Sequence, residues 1–147
     1  MSRDAVTFEE IADGIASYVG ESGGDVQRYV IAPAMIDLIG PVSGKSILDL
    51  YCGSGYFSRR LASLGANVTA VDISDRLVGI GREINEREHF RIEYAVAEPT
   101  DLSVIEDSVF DDVVCNMGLM STRDLSGTVA ELARMASYST WHFIRAF

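Results

Sequence analysis

Two short stretches hold the residue types whose spacing could do chemistry. The first is Asp49-Leu50-Tyr51-Cys52-Gly53-Ser54-Gly55, an acid followed by a glycine-rich run. Glycine permits a tight turn and lets backbone approach a ligand closely, and a helix starting there would add oriented N–H groups. The second is Asp72, seventeen residues beyond Gly55. A carboxylate at a strand end beside such a turn can accept hydrogen bonds from both hydroxyls of a ribose, with Ile73 lying against a purine face. A lone glycine turn is often only a turn, and a lone loop acid is often only solvated. The pairing is far more specific than either part.

The elements that must position these residues follow from changes in period. Residues 8–19 put Phe8, Ile11, Ile15 and Tyr18/Val19 at helical spacing, and 20–25 (GESGGD) read as a loop. A second helical stretch covers 26–39, with Pro33 in a first turn or at a kink. Residues 1–44 thus form a helical cap, and 45–147 form the core of the same single domain. In the core, 46–51 (SILDLY), 67–71 (NVTAV), 91–96, 109–116 (VFDDVVCN) and 141–147 read as strands. Helices are expected over 56–64, over 75–88 behind a Ser74 cap, and over about 123–136 with Leu125, Val129, Leu132 and Met135 on one face. Strands alternating with helices imply right-handed crossovers. The fold expected is α/β and Rossmann-like: a mostly parallel sheet of about five strands, helices on both faces, cut off after strand five. Ligands of such sheets sit outside the carboxyl ends of the strands, where Asp49, Asp72 and Asn116 fall.

Composition narrows the partners. The chain has 147 residues, is nearly half apolar, and carries a net charge of −10 with Lys45 as its one lysine. A basic face of the kind that grips nucleic acid is not in evidence, so a small-molecule partner is favoured over RNA or DNA. No stretch is apolar for the length a membrane helix needs. Cys52 and Cys115 have neither disulfide-framework nor zinc spacing, no metal site can be assembled, and a cytoplasmic setting is expected.

The stretches ILDLYCGSGYFSRRLASLGANVTAVDIS, AEPTDL and SVFDDVVCNMGLM resemble the class I S-adenosylmethionine-dependent methyltransferases, especially the small-molecule group called methyltransferase type 11. That resemblance implies S-adenosylmethionine as cofactor, S-adenosylhomocysteine as product and methyl transfer to a small-molecule acceptor. It also implies roles. Asp49 would organise the glycine turn and help hold the methionine ammonium. Tyr51, Cys52, Gly53 and Gly55 would form the turn, with backbone at Tyr51 and Gly53 lining the methionine moiety. Asp72 would bind the ribose and Ile73 would pack on adenine. Glu98 would accept from the adenine amino group with Ala97 beside it, and Asn116 and Met117 would face cofactor and acceptor. The family usually has Gly or Ala where Tyr51 stands, although some RNA uridine methyltransferases carry an aromatic there. Family members also continue past strand five, so 141–147 would leave an apolar edge suited to self-association.

The remaining candidates read as structural. His89 follows an acidic helix and His142 falls in strand five. Glu83, Glu86 and Glu88 form an exposed face, Asp111 and Asp112 shape the entry to strand four, and Cys115 behaves as a small buried hydrophobe. Arg28 on a helix face could pair with the methionine carboxylate, and Tyr18 could close over the site as part of a lid. Two other functions compete. A nicotinamide-dependent oxidoreductase would need a third glycine where Ser58 stands. A methyltransferase-like domain that binds cofactor or a partner without turnover is the non-enzymatic alternative.

Overall fold

A computed structural model describes residues 8–105, 110–136 and 143–146. Its strands are β1 (Ser46–Leu50), β2 (Asn67–Asp72), β3 (Glu93–Val96), β4 (Asp112–Asn116) and β5 (Phe143–Ala146). The helices are α1 (Phe8–Val19), α2 (Ala32–Ile39), α3 (Tyr56–Ser63), α4 (Asp75–Glu88) and α5 (Leu125–Met135). All strand pairs are parallel, in the order β3-β2-β1-β4-β5. The chain runs outward from β1 to β3 and then returns to place β4 on the other side of β1. The strand order therefore reverses between β1 and β4, and a crevice opens above their carboxyl ends.

Alternation along the strands divides the core. Ile47, Val68, Ala70 and Val114 join Met35, Ile39, Phe57 and Leu61 in one cluster. Leu48, Leu50, Val71, Val113 and Cys115 join Leu132, Met135 and Phe110 in a second cluster. A strand covered on both faces reads as a continuous apolar run, which is why β1 and β4 stood out in the sequence. Within β1 the one charged residue is Asp49.

Helix boundaries follow local chemistry. Ser74 caps α4, its Oγ accepting from Leu77 N at 3.1 Å, and Asp124 caps α5 by accepting from Gly127 N at 2.8 Å. Gly55 starts α3 at φ +80°, a conformation that glycine adopts without steric cost. The stretch expected as one helix over 26–39 is helical throughout, 25–39, but carries a π-turn, Gln27–Ile31, that runs into α2. Pro33 is the cause: it has no N–H to donate, and its ring crowds the carbonyl four residues back. The backbone widens, and Ala32 N–H reaches Gln27 O five residues earlier. The expected apolar face of α5 also differs. Thr128, Leu132 and Met135 are buried, whereas Leu125 and Val129 are exposed. Thr128 is accommodated because its hydroxyl bonds Asp124 O at 2.8 Å and Thr122 Oγ1 at 2.9 Å.

β3 and β4 are shorter than expected; Ile92 and Phe110 are buried beside them, Phe110 bridging to Ala136. Val109, Trp141, His142 and Phe147 lie outside the described residues. Among the described residues, no helix is long and apolar enough to cross a membrane.

Candidate active site

The glycine turn leaves β1 through Tyr51 and Gly53, both at φ +58°, before α3 begins. Asp72 holds it from β2: Asp72 Oδ2 accepts from Gly53 N at 2.8 Å, and Oδ1 accepts from Ser74 N at 3.0 Å. Each carboxylate oxygen keeps lone-pair capacity beyond those bonds, so the group can still accept from a ligand. Asp72 is 5 % exposed. Burial pushes its pKa up, against the backbone N–H groups that favour the charge. Cys52 N–H donates to Val71 O at 3.1 Å, and burial pushes its thiol pKa well up.

Asp49 lies one layer deeper and is 1 % exposed. Its Oδ2 accepts from Ser58 Oγ at 2.5 Å, while its Oδ1 is buried with no partner. Burial raises its pKa to about 7, with the Ser58 bond opposing and the Asp72 charge reinforcing the rise. Asn116, at the end of β4, donates from Nδ2 to Gln27 Oε1 at 3.1 Å, and its Oδ1 is also buried without a partner.

Two cavities meet at Tyr51. The smaller, about 150 Å³, is lined by Asp49, Tyr51, Cys52, Gly53, Asn116 and Gln27, with apolar walls from Ile15, Val19 and Phe57. The larger, about 530 Å³, is lined by Tyr51, Ile73, Ser74, Glu98, Thr100 and Arg123, among others, and falls in the range of small-molecule sites. Asp72 lines neither cavity itself but bonds a residue of each, Gly53 of the smaller and Ser74 of the larger. Arg123 is the single cation among the described residues lining either cavity, so the small cavity has acidic and polar walls with no positive partner. Among the described residues, no group of three or more His, Cys, Asp or Glu is arranged to hold a metal.

Of the expected residues, Asp49, Tyr51, Cys52, Gly53, Ile73, Glu98 and Asn116 line one or both cavities, and Gly55 and Asp72 support them from behind without lining either. Ala97 stands slightly apart: its N–H donates to Asp72 O at 3.1 Å, but it lines neither cavity. Met117 caps the turn after β4 at φ +61°, is 39 % exposed and lines neither cavity. Tyr18 is 84 % exposed, and Arg28 packs its guanidinium over the Tyr29 ring at 5.3 Å. Burial raises the pKa of the Cys115 thiol to about 12, which fits a buried structural residue.

Several contributors carried no sequence signal of their own. Arg59 is 5 % exposed; it donates from Nη1 to Ser54 O at 2.6 Å and from Nη2 to Glu21 O at 2.9 Å, joining the glycine turn to the cap. Glu9 of α1 accepts from Ser74 Oγ at 2.6 Å and from Arg76 N at 3.1 Å, closing the cap over the rim of the larger cavity. Tyr94 of β3 lies across Gly55 and Gly81, so close that a Cβ at Gly55 would stand 1.9 Å from its hydroxyl.

The family model described as "Methyltransferase domain" matches residues 47–137. The chain belongs to this methyltransferase domain family. Its matched span runs from β1 to just past α5 and includes the glycine turn, Asp72, Glu98 and Asn116. The chain is 28% identical over 108 residues to a ubiquinone biosynthesis O-methyltransferase of Thiobacillus denitrificans, covering 74% of this chain and 47% of that protein. It is 37% identical over 97 residues to a demethylmenaquinone methyltransferase of Clavibacter sepedonicus, covering 66% of this chain and 39% of that one. The chain thus spans about half the length, or less, of these curated relatives. Among solved structures it is similar to an S-adenosylmethionine dependent methyltransferase from Mesorhizobium loti, at 26% identity and a TM-score of 0.69 over 86% of this chain and 55% of that chain.

Proposed function

We propose that this methyltransferase domain binds S-adenosylmethionine and directs transfer of its methyl group to a small-molecule acceptor. The observation that carries the reading is the pair of buried, unpartnered oxygens, Asp49 Oδ1 and Asn116 Oδ1, of two residues that line one cavity at the glycine turn. Buried acceptors without donors are costly, and a carboxylate held in such a place favours a cationic donor. An ammonium meets both needs. A pyrophosphate would instead place negative charge beside Asp49 and Asp72, which argues against a nicotinamide dinucleotide. Ser58 points the same way: it occupies the third-glycine position and bonds Asp49.

In this reading Asp49 and Asn116 hold the amino end of the cofactor, and backbone at Tyr51 and Gly53 lines its methionine arm. Asp72 accepts from the ribose hydroxyls at the junction of the cavities. Ile73 and Glu98 bracket the adenine in the larger cavity, with Ala97 holding the base of that wall through Asp72 O. Met117 faces the acceptor side of the β4 end. When bound, the sulfonium presents an already activated methyl group for in-line attack. The chain's own residues supply position and exclude water: Ile15, Val19 and Phe57 wall the small cavity, and the cap is tied down through Glu9 and Arg59. The named activities of the curated relatives support a small aromatic acceptor of the quinol-precursor type. Among the described residues β5 is an outer strand of the sheet, and strand pairing there with a second copy belongs to the same reading.

The test is S-adenosylhomocysteine release from S-adenosylmethionine with a panel of small phenols and quinols. Turnover on at least one acceptor is the expected result. No release with any acceptor, together with no cofactor binding, would overturn the reading.

A further inference from the structure

Gln27 is the residue at which the π-turn begins, and it contacts the site from the cap. A π-turn inside a helix is rare and is often found at functional sites. Here Pro33 enforces it, and its effect is to place Gln27 on the small cavity, where Gln27 Oε1 accepts from Asn116 Nδ2 at 3.1 Å. In this hydrogen bond the Asn116 amide turns its nitrogen toward Gln27. With its nitrogen turned to Gln27, its oxygen is the atom left buried and unpartnered. Asp49 Oδ1, 1 % exposed as a residue, is unpartnered on the same cavity. Turned over, the amide would aim two N–H hydrogens at whatever cation Asp49 attracts.

We infer that Gln27 is a positioning residue: it holds the Asn116 amide so that Asn116 Oδ1 and Asp49 Oδ1 together receive the ammonium of the cofactor's aminobutyrate arm. Gln27 thereby links the cap to the amino end of the cofactor, whereas Glu9 links it to the other cavity. The inference rests on the cofactor reading above, so its test must separate the two.

The separation comes from two ligands, S-adenosylhomocysteine and methylthioadenosine, which share the adenosine but of which only the first has the aminobutyrate arm. Affinities of the intact chain for both are measured by calorimetry. Gln27→Met removes the acceptor at similar size. It is expected to weaken S-adenosylhomocysteine about tenfold, which is about 1.4 kcal/mol, and to leave methylthioadenosine within about twofold. Gln27→Glu keeps an acceptor for Asn116 Nδ2 and is expected to retain S-adenosylhomocysteine binding. In an Asn116→Ala background, Gln27→Met should have no further effect, because the two residues act as one unit. Unchanged S-adenosylhomocysteine affinity in Gln27→Met would overturn the inference while leaving the cofactor reading intact. Equal loss of both ligands would also overturn it, by showing that Gln27 only supports the cap. Failure of the unaltered chain to bind either ligand would bring down the cofactor reading and this inference together.

Discussion

Asp49→Asn should make the fold more stable and the site worse. Burial lifts the Asp49 pKa from 3.8 to about 7. A shift of about three units corresponds to ~4 kcal/mol of strain borne by the folded state once the group is charged. Asparagine removes the charge and can still accept from Ser58, but through a weaker bond, and it leaves an amide N–H₂ on the small cavity. Setting ~1–3 kcal/mol against the gain for those losses leaves a net stabilisation of roughly 1–3 kcal/mol near pH 8. For a domain of this size that is a rise in Tm of about 3–8 °C.

The pH dependence is more diagnostic than the absolute value. Because the folded-state pKa is raised, the folded chain binds the proton more tightly than the unfolded chain, and stability falls as pH rises from about 4 to about 7. The asparagine variant lacks this slope. Urea unfolding at pH 5, 6, 7 and 8 should show the unaltered chain losing about 2.7 kcal/mol relative to the variant, from 1.36 kcal/mol per pH unit over about two units. The variant should meanwhile bind S-adenosylhomocysteine at least about tenfold more weakly. Parallel pH profiles for the two proteins would refute the argument, since they would mean that Asp49 does not carry a strained charge.

Other substitutions test the packing around the turn. A Cβ at Gly118 would stand 2.3 Å from Tyr51 Cβ, so Gly118→Ala should cost roughly 1–3 kcal/mol in denaturant unfolding. Tyr51→Gly in the same chain should recover most of that loss, because it removes the side chain that clashes. Arg59→Lys cannot span Ser54 O and Glu21 O as the guanidinium fork does. It should cost about 2 kcal/mol and speed proteolysis of the loop at residues 20–25. Cys115, which is buried and whose thiol pKa burial raises to about 12, should react with a disulfide reagent at pH 8 at least about 100-fold more slowly in the folded chain than in urea.

The sheet and its glycine turn were legible because each strand is a short apolar run and each turn carries its own chemistry. β1 ends at Leu50, just before Tyr51 and Gly53 adopt positive φ, and Ser74 caps α4 as its position after Asp72 suggested. Two local patterns misled. Thr128 is polar and so carries no core signal, yet its hydroxyl is satisfied within its own helix turn and it is buried, while the apolar Leu125 and Val129 are not. Pro33 was legible as a helix irregularity, but the widened turn it produces was not, because a π-turn has no period to read over five residues. Arg59, Glu9 and Gln27 were illegible for a different reason. Their partners Glu21, Ser74 and Asn116 lie 38, 65 and 89 residues away, and amphipathic spacing alone makes each of them an ordinary helix-surface residue. The constellation of Asp49, Gly53 and Asp72 could be read from spacing. The cap that completes it could not.

The most direct measurement is a calorimetric titration of the intact chain with S-adenosylhomocysteine, beside Asp72→Ala and an NAD control. The account predicts roughly micromolar binding to the unaltered chain, loss of at least about 100-fold in the variant, in which the charged acceptor for two ribose hydroxyls is gone, and no binding of NAD. An Asp72→Ala variant that stays folded and binds S-adenosylhomocysteine as tightly as the unaltered chain would contradict the placement of the cofactor at this turn.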